Sequence, residues 1–402
     1  MPRVLAGLTA TVIAISAGIA AAPTAVADPA VADPQAPAGA PAGSGDEVRL
    51  VVRLEARAGF AGEVAAARAL GAEPAVREPR LDAFSLDVPA GEADAVRRDL
   101  GERAGVDTVQ VAHRRTLADV PNDPQWSSQS TYMSAVHAPG AWGLSQGRAS
   151  VRVAVIDTGV ATGHPDLIGK VVGQYNAVTG TSSVRDAMGH GTSVASVAAA
   201  RTGNGVGVAG SGYRTSVLAV KVADSNGTLR SDAIASGIRW AADHGADVIN
   251  MSFGGSATDW LERDAVAYAQ SKGVLLVASA GNAGTSDLHY PAALPGVLSV
   301  GATSASGTSR PSWSSYGRWV DLAAPGAGIR AAVPGGRYGT VSGTSFSAPL
   351  VAGEAALLLA VQPTATAAQL TATLTAATTG ARLGFAQGLV DFRSAVRRIA
   401  RT

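Results

Sequence analysis

Short, almost continuous runs of apolar residues recur along this 402-residue chain from residue 151 onward, with longer helical patterns between them. The apolar runs lie at 151–156, 217–222, 248–251, 274–278 and 297–300, and the helical patterns at 190–201, 231–244 and 261–272. A strand that is apolar on both sides must be covered on both faces, as happens in parallel sheets with crossover helices. The sequence therefore predicts an α/β fold with a doubly wound, mostly parallel sheet and helices on both faces. Ligands bind such a sheet at the carboxyl ends of its strands.

The first 45 residues do not share this pattern. Residues 1–27 have a basic start, an apolar stretch and an Ala-Val-Ala end, which together predict a secretory signal peptide cleaved after Ala27. An N-terminal membrane anchor is the alternative, since about 20 apolar residues can span a bilayer. The small-x-small end favours export, so we expect an extracellular protein without a stable membrane anchor. Residues 28–45 are rich in Ala and Pro and are expected to be a linker.

Residues 46–113 contain a separate pattern in the order β-α-β-β-α-β, which is the split βαβ arrangement of a small α+β ferredoxin-like fold. A charged segment, 114–121, follows and is expected to be an exposed connection that is open to cleavage. Its Arg114-Arg115 pair would also suit a trypsin-like processing enzyme. Residues 122–402 are predicted to form one domain around the parallel sheet.

Charge and cysteine content narrow the possible functions. Lys and Arg number 32 against 31 Asp and Glu, a formal net charge of +1 with no long run of one sign, so nucleic acid is not an expected partner. The chain has no cysteine, which excludes disulfides, thiolate nucleophiles and cysteine-ligated metals. Catalysis in this chain must therefore use hydroxyl, imidazole and carboxylate groups.

Three glycine-rich turns carry such groups next to predicted strands or helices. Asp157 ends the first apolar strand, His190 opens a helix, and Ser345 opens another helix. A serine hydroxyl near neutral pH is a weak nucleophile and needs a base, which in turn needs a third group to orient it. Asp, His and Ser in this chain order form one of the known catalytic arrangements.

The stretches 153–160, 189–195 and 342–349 resemble the subtilisin family (subtilases, peptidase S8), over residues 122 to about 400. Residues 46–113 resemble the inhibitory (I9-type) prodomain of that family. The resemblance implies a secreted serine endopeptidase, made as a zymogen with a self-processed prodomain, that cleaves proteins or peptides through an acyl-enzyme. Asp157 would orient His190, the general base, and Ser345 would attack the scissile carbonyl.

Two other functions were weighed against this one. A catalytically silent secreted member of the family would be a binding protein, but the three catalytic residues are intact. An esterase is suggested by a G-x-S-x-G match at 143–147, yet an esterase serine needs a strand before it, and here the strand follows.

The resemblance also assigns an oxyanion donor and substrate contacts. The Asn282 side chain would donate to the oxyanion, together with the backbone amide of Ser345. An extended peptide would add to open strand edges near 226–229 and 252–255. The substrate contacts predicted in this way are Gly227, Ser252, Phe253, Gly254, Ala280, Gly281 and His289. His289 departs from the small residue that many relatives carry there. It would narrow the pocket for the residue before the scissile bond, or change the polarity of that pocket, unless it points into solvent.

A structural Ca²⁺ is the one cofactor that the resemblance implies, with no organic cofactor. The segment 122–124 resembles the start of thermitase-like mature chains, and Ca²⁺ prefers oxygen ligands. The implied ligands are the side chains of Asp123, Asp166 and Asn204 and the carbonyl groups of Arg201, Val206 and Val208. An empty glycine-rich turn is the alternative.

We expect a monomer, and we expect Glu354, among small apolar residues on the helix after Ser345, to face solvent.

Overall fold

The computed structural model of the chain describes residues 47–55, 60–69, 73–78, 81–112 and 120–401. Its contacts divide the chain into two compact units, one up to Arg114 and one from Arg115. The predicted signal peptide, the predicted linker and most of the segment 114–121 lie outside the described residues.

The first unit is a four-stranded antiparallel sheet with two helices. Its strands are β1 (Glu47–Leu54), β2 (Glu73–Glu78), β3 (Ala83–Pro89) and β4 (Val106–Val111), and its helices are α1 (Phe60–Ala69) and α2 (Ala93–Gly101). The sheet order is β2-β3-β1-β4. Alternate residues of β1, Leu50 and Val52, pack with Phe84 and Leu86 in a core of their own. The element order is β-α-β-β-α-β, as the sequence predicts.

The second unit is built on a nine-stranded sheet in the order β14-β15-β11-β10-β9-β8-β5-β7-β6. Its strands are β5 (Arg152–Asp157), β6 (Val171–Asn176), β7 (Ser216–Lys221), β8 (Val248–Met251), β9 (Leu275–Ser279), β10 (Val297–Thr303), β11 (Leu322–Pro325), β14 (Thr378–Thr379) and β15 (Leu389–Val390), with β12 (Ile329–Val333) and β13 (Arg337–Val341) as a separate hairpin. Its helices are α3 (Trp126–Ala135), α4 (Ala138–Trp142), α5 (His190–Ala199), α6 (Ser231–Asp243), α7 (Trp260–Ser271), α8 (Thr344–Val361), α9 (Ala367–Ala376) and α10 (Phe392–Ile399).

All neighbouring strands of the large sheet are parallel except β14 and β15. The central strand β5 shows why both faces are covered. Val153 and Val155 belong to the core on the side of α5 and α8, whereas Ala154 and Ile156 belong to the core on the side of α6 and α7. The predicted doubly wound, mostly parallel α/β sheet is confirmed.

The sequence patterns missed the edges of this sheet. β6 alternates half-buried and exposed positions, and β14 and β15 have two residues each, so none of them forms a continuous apolar run. The expectation that Glu354 faces solvent is wrong, because α8 crosses the middle of the unit and leaves Glu354 with none of its surface exposed. In the described part of the chain, α8 is the one helix long and apolar enough to cross a membrane, and 94% of it is buried inside the protein.

Candidate active site

Asp157 and His190 meet at the carboxyl end of the central strand β5. The Nδ1 atom of His190 lies 2.8 Å from Oδ1 of Asp157, and the same oxygen accepts a hydrogen bond of 2.7 Å from the backbone N–H of Thr158. A side chain at Gly191 would collide with the backbone oxygen of Gly159, so the glycine lets α5 start this close to the strand.

The charge state of His190 reflects its acidic surroundings. Burial opposes the charged imidazolium, but the adjacent Asp157 and the nearby Asp186 outweigh it and raise the pKa of His190 above its usual value. The ring also lies 5.5 Å, centroid to centroid, from the ring of Phe346. Since Phe346 follows Ser345, this contact brings the start of α8 beside the histidine.

A second buried carboxylate, Asp186, ties the Asp157 turn to the His190 helix. It accepts hydrogen bonds from the Thr158 hydroxyl at 2.9 Å, the Gly189 backbone at 2.8 Å and the Thr192 backbone at 2.9 Å. The backbone of Met188 and the Thr192 hydroxyl complete a set of five. Asp186 is not among the residues predicted from the sequence; its position four residues before a helix-opening histidine was the available signal.

Ser345 lies in the first turn of α8, after Gly343. Its hydroxyl donates to the backbone oxygen of Ser252 at 3.1 Å, and the Ser252 hydroxyl donates to the backbone oxygen of Ser345 at 2.7 Å. This reciprocal pair joins the nucleophile candidate to the segment 252–255, which the sequence assigned to substrate.

Asn282 is held with a defined orientation beside Ser345. Its Oδ1 accepts from both the backbone N–H and the hydroxyl of Thr344, each at 2.9 Å. The Thr344 hydroxyl accepts in turn from the backbone of Gly281 at 3.1 Å. With its oxygen engaged, the amide can present its N–H₂ group elsewhere, next to Gly343. Sequence reasoning missed Thr344, which is fully buried.

Three of the predicted substrate contacts, Gly254, Gly281 and His289, pack together. The ring of His289 packs against two glycines: a side-chain carbon built at Gly254 would lie 2.5 Å from Nε2 of His289, and one built at Gly281 would lie 3.0 Å from its Cγ. The half-buried ring therefore lies between the two segments, and burial lowers the pKa of His289. Gly227, with φ of +82°, lies against the end of the Met188 side chain, just before His190.

The G-x-S-x-G match at 143–147 lies after α4 and before β5, so it lacks the preceding strand that an esterase needs.

Asp123 and Asp166 converge at the loop that follows α5. Asp166 accepts from the Val208 backbone at 2.8 Å and from the Asn204 amide at 3.3 Å, and Asp123 accepts from the Gly203 backbone at 2.8 Å. The other oxygen of Asp123 is buried and has no hydrogen-bond partner among the described residues.

Burial raises the pKa of both carboxyl groups, and the charge of Asp166 adds to the shift at Asp123. Arg201 and Val206 are held in the same loop: the Arg201 backbone donates to the Asp166 carbonyl at 2.9 Å, and the Val206 backbone to Asn204 at 2.9 Å. Among the described residues, no three His, Cys, Asp or Glu side chains cluster together, so a cation here would depend on amide and carbonyl oxygens as well.

Comparison with known proteins identifies the family. The model of the subtilase family matches residues 148–391, more than half of the chain. Thermitase from Thermoactinomyces vulgaris is 43% identical over 238 residues, which are 59% of this chain and 85% of thermitase. A thermophilic serine proteinase from Bacillus sp. (strain AK1) is 37% identical over 314 residues, 77% of each chain. Subtilisin DY from Bacillus licheniformis is 41% identical over 255 residues, 62% of this chain and 92% of that one.

Solved structures agree. A protease from Pseudoalteromonas arctica superposes with a TM-score of 0.65 at 32% identity, covering 70% of this chain and all of that one. Fervidolysin from Fervidobacterium pennivorans, a keratinolytic enzyme related to subtilisin, superposes with a TM-score of 0.64 at 27% identity, covering 88% of this chain and 61% of that one. The chain belongs to the subtilase family and is a serine endopeptidase.

Proposed function

We propose that Asp157, His190 and Ser345 are the catalytic triad of this endopeptidase and that it is secreted as a zymogen. The observation that carries the triad is the 2.8 Å contact between Asp157 and His190 at the end of β5, with Ser345 at the start of the adjacent helix α8. Strand ends of a parallel sheet are where such groups are expected to meet.

The reaction requires the Ser345 hydroxyl to turn from Ser252 toward Nε2 of His190. A peptide that adds to the segment 252–255 would compete for the Ser252 oxygen and so release the hydroxyl. His190 then takes the proton as Ser345 attacks, while Asp157 holds Nδ1–H and stabilises the imidazolium. Hydrogen bonds in unliganded active sites often tighten only when substrate binds.

The negative oxygen of the tetrahedral intermediate would accept from the Asn282 amide and from the backbone N–H of Ser345. Asn282 is suited to this role because its oxygen is already bound to Thr344 and its N–H₂ is left to donate. The backbone N–H groups at a helix start attract negative charge. His190 then protonates the leaving amine, and water hydrolyses the acyl group on Ser345 by the reverse roles.

Replacement of the nucleophile tests the triad. Ser345→Ala should lower the kcat for casein-derived peptides by about 10⁶-fold, as loss of the nucleophile does in the relative subtilisin. Ser271→Ala, which removes an exposed hydroxyl from α7, is the matched control and should keep wild-type rates. Proteolysis that survives in pure Ser345→Ala protein would contradict the assignment, and inactive wild-type protein would favour the silent binding module.

The same variant tests the prodomain. The described residues within 46–113 have a sheet and a core of their own, which is the property that an independently removable domain needs. If processing within 114–121 is autocatalytic, secreted Ser345→Ala protein should begin after Ala27 and keep this unit. Removal of the unit in the variant would point instead to an outside enzyme acting at Arg114-Arg115.

The pocket for the residue before the scissile bond would lie between 252–254 and 280–282. His289 supports a shortened pocket, because its ring occupies the space between Gly254 and Gly281. His289→Gly should therefore admit larger side chains at that position, by about tenfold in kcat/KM for aromatic over alanine residues. Cleavage-site profiling of the wild type and of His289→Gly tests this expectation, and identical profiles would place His289 outside the pocket.

A Ca²⁺ ion would suit the loop after α5. The partnerless buried oxygen of Asp123 and its convergence with Asp166 fit a cation, which supplies the positive charge that these carboxylates lack. The side chains of Asp123, Asp166 and Asn204 and the carbonyl groups of Arg201, Val206 and Val208 would hold it. Asn204 faces Asp166 through its nitrogen, so its amide would have to turn over to become a ligand.

The chemistry needs no organic cofactor, and one chain carries every group named, which supports a monomeric enzyme.

A further inference from the structure

A cavity of about 450 Å³ lies beside the segment 252–255 and is distinct from the space that His289 occupies. Its walls are largely apolar and come from Leu229, Ile234, Phe253 and Tyr290, but it is also lined by two carboxylates, Asp259 and Glu262. An apolar cavity with a few polar groups is typical of a side-chain or ligand site.

Glu262 is the unusual member of this lining. It is only 6% exposed, although burial of a carboxylate is costly unless a positive group compensates it. Burial raises its pKa, and the charged neighbour acting on it is Asp259, a second acid. The Thr258 side chain is hydrogen-bonded to the Glu262 carboxyl but is neutral, and the ion pairs among the described residues do not include Glu262.

Local helix structure explains Asp259 but not the burial of Glu262. Asp259 is the N-cap of α7 and accepts a hydrogen bond of 3.1 Å from the backbone of Glu262. Ser231 and that backbone bond lower the pKa of Asp259, which also faces the exposed Arg263. The cap uses the backbone of Glu262 and leaves its side chain to line the cavity.

The cavity lies along the proposed substrate edge. Ser252 contacts Ser345, whereas Phe253, Gly254 and Gly255 line the cavity. An extended chain advances about 3.3 Å per residue, so Phe253 to Gly255 extend the cavity to about 10 Å along this edge from Ser252. Because the pocket for the residue before the scissile bond is also formed by 252–254, the cavity should receive the third or fourth residue before that bond.

We infer that this cavity binds a lysine or arginine side chain of the substrate, and the inference rests on the proposed protease function. The aliphatic stem would pack on Leu229, Ile234 and Phe253, and the cation would pair with Glu262 and Asp259. A basic residue thereby supplies the positive charge that Glu262 lacks, and an acidic residue is excluded.

Cleavage profiling on a proteome-derived peptide library tests this subsite. Wild-type enzyme should enrich Lys and Arg at the third or fourth residue before the cut, and a matched peptide pair with Lys or norleucine there should differ about tenfold in kcat/KM. Glu262→Leu should lose that ratio and favour Leu or Phe. Asp264→Asn is the matched control: it removes an exposed carboxylate from the same helix, outside the cavity, and should keep the Lys preference.

Each outcome has a separate meaning. No cleavage by the wild type would count against the protease function, whereas cleavage without a basic preference would overturn the subsite alone. If Glu262→Leu does not fold, Glu262→Gln keeps the side-chain shape and should still lose the Lys preference. A Lys preference that is unchanged in a folded Glu262→Gln enzyme would also overturn the inference.

Discussion

Asp186, just before α5, and Glu354, within α8, are both buried carboxyl groups, yet their surroundings are opposite. Asp186 is 5% exposed and accepts five hydrogen bonds, and its negative charge acts on His190. Glu354 is fully buried, and neither of its oxygens has a partner among the described residues. Burial, together with the charge of Asp391, raises the pKa of Glu354 well above its usual value. Hydrogen bonds rather than depth decide whether the free-energy penalty of burying a carboxyl group is offset or destabilises the folded chain.

The pair of Asp123 and Asp166 lies between these extremes. Three of its four oxygens accept hydrogen bonds, and the fourth has no partner. A bound cation would move this pair toward the fully satisfied state of Asp186. Without one, the pair would resemble Glu354.

Removal of Asp186 should give the largest loss of stability. Asp186→Ala leaves buried donors from Thr158, Gly189 and Thr192 without an acceptor, which should cost about 3–5 kcal/mol in the free energy of unfolding. For a domain of this size that is a fall in melting temperature of roughly 10 °C. The measurement belongs in the Ser345→Ala background, where autolysis is absent. Asp264→Ala, on the exposed face of α7, is the control and should melt within about 2 °C of its parent.

The structural account of Asp186 also predicts its effect on catalysis. Asp186→Asn keeps the shape but removes a negative charge that favours protonated His190. Because the general-base role proposed for His190 needs the neutral imidazole, the acid limb of the kcat/KM profile should move to lower pH. A stability loss with an unmoved acid limb would reduce Asp186 to a structural residue only.

Chelation should give the next effect in size. If Ca²⁺ occupies the loop at about 100 times its dissociation constant, it stabilises the folded chain by about 3 kcal/mol. EDTA should then lower the melting temperature of wild-type protein by several degrees. Asp166→Ala should melt lower than wild type and should show no further loss with EDTA. An equal response of both proteins to EDTA would remove Ca²⁺ from this loop.

The sequence predicted the residues that lie in short glycine-rich motifs, because such motifs can be recognised without the tertiary structure. These residues are Asp157, His190, Ser345 and Asn282. It did not indicate Asp186 or Thr344, each of which has a partner that only the packing of distant segments brings near. Asp186 meets Thr158, 28 residues away, and Thr344 meets Asn282, 62 residues away. The error at Glu354 has the same origin, since a charged residue in a helix is exposed unless the tertiary fold covers it.

The parallel sheet could be predicted because its central strands are buried on both faces and therefore apolar throughout. Its edges could not, since β6 has one face toward solvent and β14 and β15 have two residues each. The helices α9 and α10 were missed as well. α9 packs against β9, and α10 packs against α4 and α8. Each nevertheless has a local signal: α9 begins with a capping box of Thr366 and Gln369, and the buried residues of α10 recur at helical spacing.

Replacement of Glu354 should give the smallest effect, and in the stabilising direction. Glu354→Leu should raise the free energy of unfolding by about 2 kcal/mol at neutral pH, because an apolar side chain removes an unpaired buried carboxyl. The effect depends on pH with a definite sign. Below the usual glutamate pKa of 4.5, the carboxyl is protonated in both the folded and the unfolded chain. Above it, the unfolded chain releases the proton first, so stability falls as pH rises toward the raised pKa of the folded state.

Glu354→Gln should remove this fall, so its stability advantage over the parent should grow as pH rises above 4.5 in urea unfolding of the Ser345→Ala background. The other titrating groups at this position are Asp391 and His137, which lie 3.1 Å apart. His137→Gln is therefore the control, and it should keep the slope that Glu354→Gln removes. Parallel stability curves of Glu354→Gln and its parent over this range would mean that the Glu354 carboxyl has a hydrogen-bond or ion-pair partner. The contrast between Glu354 and Asp186 would then disappear.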